Sequence, residues 1–435
     1  MTRSFRIAPG GALTGVIRVP GDKSISHRSV MLGALADGVT RVTGFLEGED
    51  ALATMNIFRA LGARIDGPQD GALTIHGVGM HGLRAPAGVL DCGNSGTSMR
   101  LLAGLLAGQA FDATLTGDDS LRRRPMRRVA EPLALMGARI ETADGGVPPV
   151  TVRGGMPLRG VDYPLPVASA QVKSALLLAG LYAHGRTCVT EPAPTRDHTE
   201  RMLRAFGYRV ETDGARVCLE GGGRLTACAV EVPADISSAA FFLVGASIAP
   251  GSDLTLSGVG VNPTRTGVLE ILRLMGARIS LTNERLAGGE PVADLRVRSA
   301  PLKGIRVPPE LVPLAIDEFP ALFVAAACAH GETVVTGAEE LRVKESDRIA
   351  VMAEGLRELG AHAEPTPDGM RIVGNSFRGG RVDSRGDHRI AMAFAMAALR
   401  ASGPVEIEDC ANVATSFPGF EALARTAGLA ISARG

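Results

Sequence analysis

Residues 262–279 read NPTRTGVLEILRLMGARI. A polar start leads into apolar residues at helical spacing, then Gly276, then a strand-like segment. Leu269, Ile271, Leu272, Leu274 and Met275 are assigned to the buried part of this helix. Gly276 fits the left-handed position that ends a helix. The same ending recurs as ALGARI at Gly62, LMGARI at Gly137, AFGYRV at Gly207, ELGAHA at Gly360 and TAGLAI at Gly428. Successive spacings are 75, 70, 69, 84 and 68 residues, so six units of ~72 residues account for all 435.

A second series interleaves with the first. Six Ala/Leu-rich segments occupy residues 24–38, 95–108, 169–185, 236–251, 317–331 and 387–403. Apolar on nearly every side, they read as buried helices. Short alternating strands fill the gaps, for example 15–19, 71–77, 113–117 and 370–374. Each unit is then βαβαββ, and three units surround one core, which makes the fold class α/β. The predicted domains are 1–20 plus 236–435, and 21–235. Val-Pro-Gly-Asp (19–22) and Val-Pro-Ala-Asp (232–235) mark two chain crossings, hence a two-strand hinge with a cleft.

Composition narrows the function. The chain is 45% hydrophobic and 21% charged, so it can bury large cores. Basic and acidic residues balance at 46 each, which argues against nucleic acid or an anionic membrane as partner. With no Trp and few other aromatics, base stacking and carbohydrate platforms are disfavoured. The N-terminus lacks a signal-peptide apolar stretch, and no segment is long enough to span a bilayer, so a cytoplasmic protein is expected. The six cysteines are scattered without zinc spacing and read as small buried hydrophobes in a reducing compartment.

Of the 46 basic residues only four are Lys: Lys23, Lys173, Lys303 and Lys344. Three of them fall in polar motifs that open helices: GDKSISHR (21–28), ASAQVKS (168–174) and KESDR (344–348). GNSGTSMR (93–100), RRRPMRR (122–128), TRDHTER (195–201), IDEFP (316–320) and GDHR (386–389) hold similar places. Taken singly, Ser, Asp and Asn there are caps, and an Arg run is a solvated face. Together they say more. Helix N-termini attract anions, and cations placed there oppose the helix dipole unless an anion binds between them. A retained Lys suits a site where a compact ammonium fits and a planar fork does not. Lys173, inside a buried helix, reads as structural.

The motifs PGDKSISHR, GNSGTSMRLL, LRRRPM, SAQVKSALLLAGL, TRDHTE, NPTR, IDEFPALFVAAA, LRVKESDRI, GDHRIAMA and TSFP occur in this order. Across essentially the whole chain, the sequence resembles the 5-enolpyruvylshikimate-3-phosphate synthases, nearer their second class. The resemblance implies two inverse α/β-barrel-like domains of three βαβαββ units each, closing on substrate by induced fit. It implies transfer of the enolpyruvyl group of phosphoenolpyruvate to the 5-hydroxyl of shikimate 3-phosphate, with release of phosphate through a tetrahedral intermediate. No metal or organic cofactor is implied, and the family precedent is a monomer acting on small molecules.

Carried over onto matching positions, Lys23, Arg124, Gln171 and the backbone at Gly96 would hold the phosphate of phosphoenolpyruvate. Arg348 and Arg389 would hold its carboxylate. Lys23, Ser24, Arg28, Ser169, Ala170, Gln171 and Arg196, with Asp317 and Lys344, would bind shikimate 3-phosphate. Asp317 would accept the hydroxyl proton, Glu345 would protonate the methylene carbon and later remove a proton, and Lys344 would support both steps. The two substrates bring roughly five to six negative charges. Lys23, Arg28, Arg124, Arg196, Lys344, Arg348 and Arg389 oppose them, with only Asp317 and Glu345 counted against.

The chain departs from the family pattern at Thr415, where many members carry Lys, at Ala170, often Ser, and at Leu101, often Pro. Glyphosate-tolerant lines carry Ala in place of Gly96, so competition between glyphosate and phosphoenolpyruvate is expected. The nearest rival is the transferase acting on UDP-N-acetylglucosamine, but the stretch 117–128 lacks the Cys that enzyme uses. A non-catalytic anion binder is a second rival, disfavoured by the retention of Asp317 and Glu345.

Overall fold

The computed structural model describes residues 3–374 and 376–435. The chain forms two compact units, one of Met1–Pro20, Pro233–Leu286 and Glu290–Gly435, the other of Gly21–Val232 and Ala287–Gly289. Among the described residues there are twelve α-helices. Those of the Gly21–Val232 unit are α1 (Lys23–Leu35), α2 (Glu49–Ala60), α3 (Gly96–Ala107), α4 (Arg127–Leu135), α5 (Ala170–Gly180) and α6 (His198–Ala205). The other unit holds α7 (Ile236–Ile248), α8 (Gly267–Leu274), α9 (Phe319–Ala327), α10 (Arg348–Glu358), α11 (His388–Ala397) and α12 (Phe420–Ala427). None is long and apolar enough to cross a membrane.

Odd-numbered helices are the apolar series and sit at the centres of the two cores. Every residue of α7 is buried. Even-numbered helices are amphipathic, and the glycines that follow them, Gly62, Gly137, Gly207, Gly276, Gly360 and Gly428, all have φ between 80° and 113°. In α8 one expectation fails. Val268, Leu269, Ile271, Leu272 and Met275 are buried, but Leu274 is 45% exposed. At 3.6 residues per turn, Leu274 points away from the stripe that Val268, Leu272 and Met275 share.

Among the described residues the strands form six small sheets. Strands Leu90–Asp91, Ala113–Thr116, Val147–Arg153 and Arg139–Ala143 form one, with the first pair parallel and the others antiparallel. In sequence it reads βαβαββ around α3 and α4. Strands Glu332–Val335, Gly369–Val373 and His362–Thr366 form a three-stranded sheet, and where a parallel edge strand would pair, a bridge joins Arg306 to Val334. Two strands serve sheets away from the helices they precede. Thr14–Ile17 comes before α1 but pairs with Asp253–Gly260; Ala229–Glu231 comes before α7 but pairs with Val39–Thr43.

The cysteines need correction. Cys188 and Cys218 face each other in antiparallel register, with Cα atoms 4.1 Å apart, and are joined by a disulfide. They lie 30 residues apart on strands that only tertiary pairing brings together. Cys92, Cys228, Cys328 and Cys410 are thiols.

Helix α3 packs on α5 at Gly104, where an added Cβ would lie 2.1 Å from the Ala175 carbonyl oxygen. Gly104→Ala is expected to lower stability by about 1–3 kcal/mol through overpacking. Gly88→Ala, with open space around it, should stay within about 0.5 kcal/mol. Denaturant unfolding of the two variants reads the difference.

Candidate active site

In the Gly21–Val232 unit the polar motifs sit where the sequence puts them, at the starts of α1, α3, α5 and α6. Asp22 caps α1 by accepting from the Ile25 N–H at 2.9 Å. Lys23 follows, and its Nζ donates to Asp50 Oδ2 of α2 at 2.9 Å. One turn on, His27 and Thr54 meet at 2.7 Å, and Thr54 meets Ser98 Oγ at 2.6 Å. Ser98 in turn reaches Ser95, the cap of α3. This polar ladder fixes the phosphate-binding candidates of α1 and α3 to each other through α2. His27 is fully buried; that burial, followed by the charges of Lys23 and Arg28, holds its pKa well below the ordinary histidine value.

Around Gly96 the groups expected to hold phosphate are already anchored. Arg124, 7% exposed, donates from Nη2 to Asn94 Oδ1 at 3.1 Å. Gln171 Oε1 accepts from Arg100 Nη1 at 2.6 Å, and its Nε2 donates to Thr97 Oγ1 at 3.0 Å. Ser169 caps α5 by accepting from Val172 N–H, and Ala170 is the first residue of that helix. Arg28 is buried and donates to Ser24 O, Thr199 Oγ1 and Ser174 Oγ at 2.7–2.9 Å. Arg196 is half-buried in the loop that leads into α6.

The other unit centres on Arg348, which is 1% exposed at the first position of α10. Its Nε donates to Asp387 Oδ2 at 2.8 Å, its Nη2 to Glu345 Oε2 at 2.5 Å, and its Nη1 to Asp317 Oδ1 at 3.3 Å. Burial opposes this charge, but the three carboxylates outweigh it and raise the guanidinium pKa further. Lys344 Nζ lies 3.6 Å from Asp317 and 3.8 Å from Glu340. Arg389 Nη1 donates to the Asp317 carbonyl at 3.2 Å. Five of the six buried helices start with a side-chain cap: Asp22, Ser95, Ser169, Asp235 and Asp387. Helix α9 has no such cap, and Asp317, just before it, turns to Lys344 and Arg348.

So Asp317, Lys344, Glu345, Arg348 and Arg389 are brought together, as are Gly96, Arg124 and Gln171. Sequence reasoning missed the partners. Asp50 lies outside every quoted motif, whereas Asn94, Thr97, Arg100, Ser174, Thr199 and Asp387 stood inside them and were counted only as motif members. Thr415 is buried and donates to Asn412 O at 2.7 Å. Cys92 lies just before the GNSGTS loop, but burial, then Asp91 and Asp50, pushes its thiol pKa far up, which disqualifies it as a nucleophile.

Comparison with known proteins fits this geometry. Residues 7–423 match the family EPSP synthase (3-phosphoshikimate 1-carboxyvinyltransferase). A 3-phosphoshikimate 1-carboxyvinyltransferase of Alkalilimnicola ehrlichii is 74% identical, covering 98% of this chain and 96% of that protein. The EPSP synthase structure from Acinetobacter baumannii aligns with TM-score 0.89 at 60% identity over all of both chains. The enolpyruvyl transferase NikO from Streptomyces tendae aligns at TM-score 0.78 over 99% of each chain, but at 17% identity it speaks for the fold alone. The fold is thus that of the enolpyruvyl transferases. Within it, the chain belongs to the EPSP synthase family, the 3-phosphoshikimate 1-carboxyvinyltransferases, and is a transferase of the shikimate pathway.

Asp387 both caps α11 and grips Arg348. Asp387→Ala should cost about 3–5 kcal/mol, the scale for breaking a buried ion pair, read by thermal and denaturant unfolding.

Proposed function

We propose that the enzyme moves the enolpyruvyl group of phosphoenolpyruvate to the 5-hydroxyl of shikimate 3-phosphate as follows. Asp317 takes the hydroxyl proton as the oxygen attacks C2 of phosphoenolpyruvate. Glu345 delivers a proton to the methylene carbon, giving the tetrahedral intermediate. Removal of a proton from the resulting methyl group, with departure of phosphate, restores the enol ether. The observation that carries this reading is the shared grip on two carboxylates: Arg348 meets both Asp317 and Glu345, and Lys344 stands beside Asp317. A binder of anions gains nothing from carboxylates held among its cations. An acid–base catalyst requires them, held in place for proton transfer.

The domains are read as 1–20 with 236–435 and as 21–235. Lys23, Gly96, Arg124 and Gln171 are given the phosphate of phosphoenolpyruvate. Arg348 and Arg389 are given its carboxylate. Arg348 Nε already faces Asp387, so the substrate would take the Nη1 edge, where the contact with Asp317 is the longer one at 3.3 Å. Lys23, Ser24, Arg28, Ser169, Ala170, Gln171 and Arg196, with Asp317 and Lys344, are given shikimate 3-phosphate. The enzyme is read as a cytoplasmic monomer working on these two small molecules.

Phosphate release with phosphoenolpyruvate plus shikimate 3-phosphate tests the reaction, with UDP-N-acetylglucosamine as the alternative acceptor. No release with the former would sink it. Asp317→Ala is expected to lower kcat by about 10²–10⁴-fold while substrate binding, measured by calorimetry, persists.

A methyl group on Gly96 would stand 3.0 Å from both Arg100 Nη1 and Arg124 Nη1. Gly96→Ala is therefore expected to raise KM for phosphoenolpyruvate by roughly 10-fold, with a smaller change for shikimate 3-phosphate. Steady-state kinetics with each substrate varied in turn checks this.

A further inference from the structure

Lys173, like Lys303, is a retained lysine to which no role in the site has yet fallen. It lies in α5, four residues after Ser169, and is 1% exposed. Its Nζ stands 2.8 Å from Glu191 Oε2 and 2.7 Å from Glu200 Oε1. Glu191 follows the strand Arg186–Thr190, and Glu200 lies in the first turn of α6. Both carboxylates are buried, at 8% and 2% exposure. Burial works against the ammonium, yet Glu200 and Glu191 outweigh it and hold its pKa above the ordinary lysine value. Two buried carboxylates share one ammonium, and burial pushes the Glu191 pKa above its ordinary value, so the grouping is costly to bury. Apolar residues of equal volume would serve stability as well or better, so packing alone does not account for the triad.

Its connections do. Thr195 Oγ1 donates to Glu191, and Thr195 is the chain neighbour of Arg196. Beside Lys173, Ser174 Oγ accepts from Thr199 Oγ1 at 2.8 Å and from Arg28 Nη2 at 2.9 Å. Helices α5 and α6 are thus stitched by two successive pairs, Lys173–Glu200 and Ser174–Thr199, and the second pair is shared with α1. Ser169, Arg196 and Arg28 hang from these contacts. Gln171 is held separately by Arg100 and Thr97.

We infer that Lys173 is a positioning residue for shikimate 3-phosphate: with Glu191 and Glu200 it sets the Thr195–Arg196 loop and the start of α6 against the start of α5. The inference rests on the assignment of Ser169 and Arg196 to that substrate. A compact ammonium suits the junction, since it pairs with two carboxylates without imposing the planar geometry of a guanidinium.

The test compares three variants of the full-length enzyme. Lys173→Met/Glu191→Gln/Glu200→Gln removes the triad's charge without stranding a carboxylate. Thr195→Val cuts the loop's hydrogen bond to Glu191 and changes no charge. Arg196→Ala probes the pocket directly. The triple variant is expected to raise KM for shikimate 3-phosphate by roughly 10-fold, with kcat and KM for phosphoenolpyruvate within about 2-fold, and Thr195→Val by roughly 3-fold. Arg196→Ala should raise the same KM. If Arg196→Ala raises it but Thr195→Val and a folded triple variant do not, the positioning role is wrong. A parallel decline in kcat and both KM values also overturns it, since that is the mark of general structural damage. If the triple variant does not fold, Thr195→Val decides alone. If no variant moves this KM, the assignment of the pocket fails and the inference falls with it.

Discussion

A charge placed where water is excluded must find its partner inside the protein, and this constraint organises both units. Arg348 is the extreme case: a guanidinium buried at the start of a helix, where the dipole opposes it, and held by three carboxylates. Lys173 meets the same demand with two. Lys23 meets it with Asp50 and Arg124 with the amide of Asn94. These cations are held by protein partners before any substrate arrives, so their side chains need little rearrangement of their own to meet an anion. That is the arrangement in which electrostatic stabilisation is most effective.

Helix caps and the candidate site draw on neighbouring residues. Asp387 satisfies the open N–H groups of α11 and also grips Arg348. Ser95 caps α3 and also closes the ladder that runs from His27 through Thr54 and Ser98. At α9 the division changes: no side chain caps the helix, and Asp317 is turned to Lys344 and Arg348 instead. The lack of a cap there is consistent with a carboxylate reserved for proton transfer.

The periodic part of this structure was legible in the sequence. Each apolar segment became a buried helix, and each repeated glycine ended an amphipathic one, because both signals are set within a few residues of chain. Leu274 failed at that same scale: hydrophobicity alone does not say which side of a helix a leucine takes. Partners were the harder part. Lys23 and Asp50 are 27 residues apart, Arg348 and Asp387 are 39 apart, and Arg28 and Thr199 are 171 apart. No local pattern couples such positions. The count of charges made from motifs therefore overstated the free positive charge, since it omitted Asp50 and Asp387. The bond between Cys188 and Cys218 was hidden for the same reason, its register being fixed only when their strands pair.

The strand connections bear on how the chain is made. Ser4–Ile7 pairs with Val405–Glu408 and Ile431–Arg434, and Thr14–Ile17 pairs with Asp253–Gly260. On a ribosome adding about 5–20 residues per second, the first strand waits on the order of tens of seconds for partners near the far end of the chain. Residues 21–232 emerge whole in that interval and complete their own three sheets. This segment, made before residues 21–232, is thus secured after them. Its short strands, with Arg3 and Arg18 at their ends and Arg6 within the first, limit the edge that stays open to a wrong partner meanwhile.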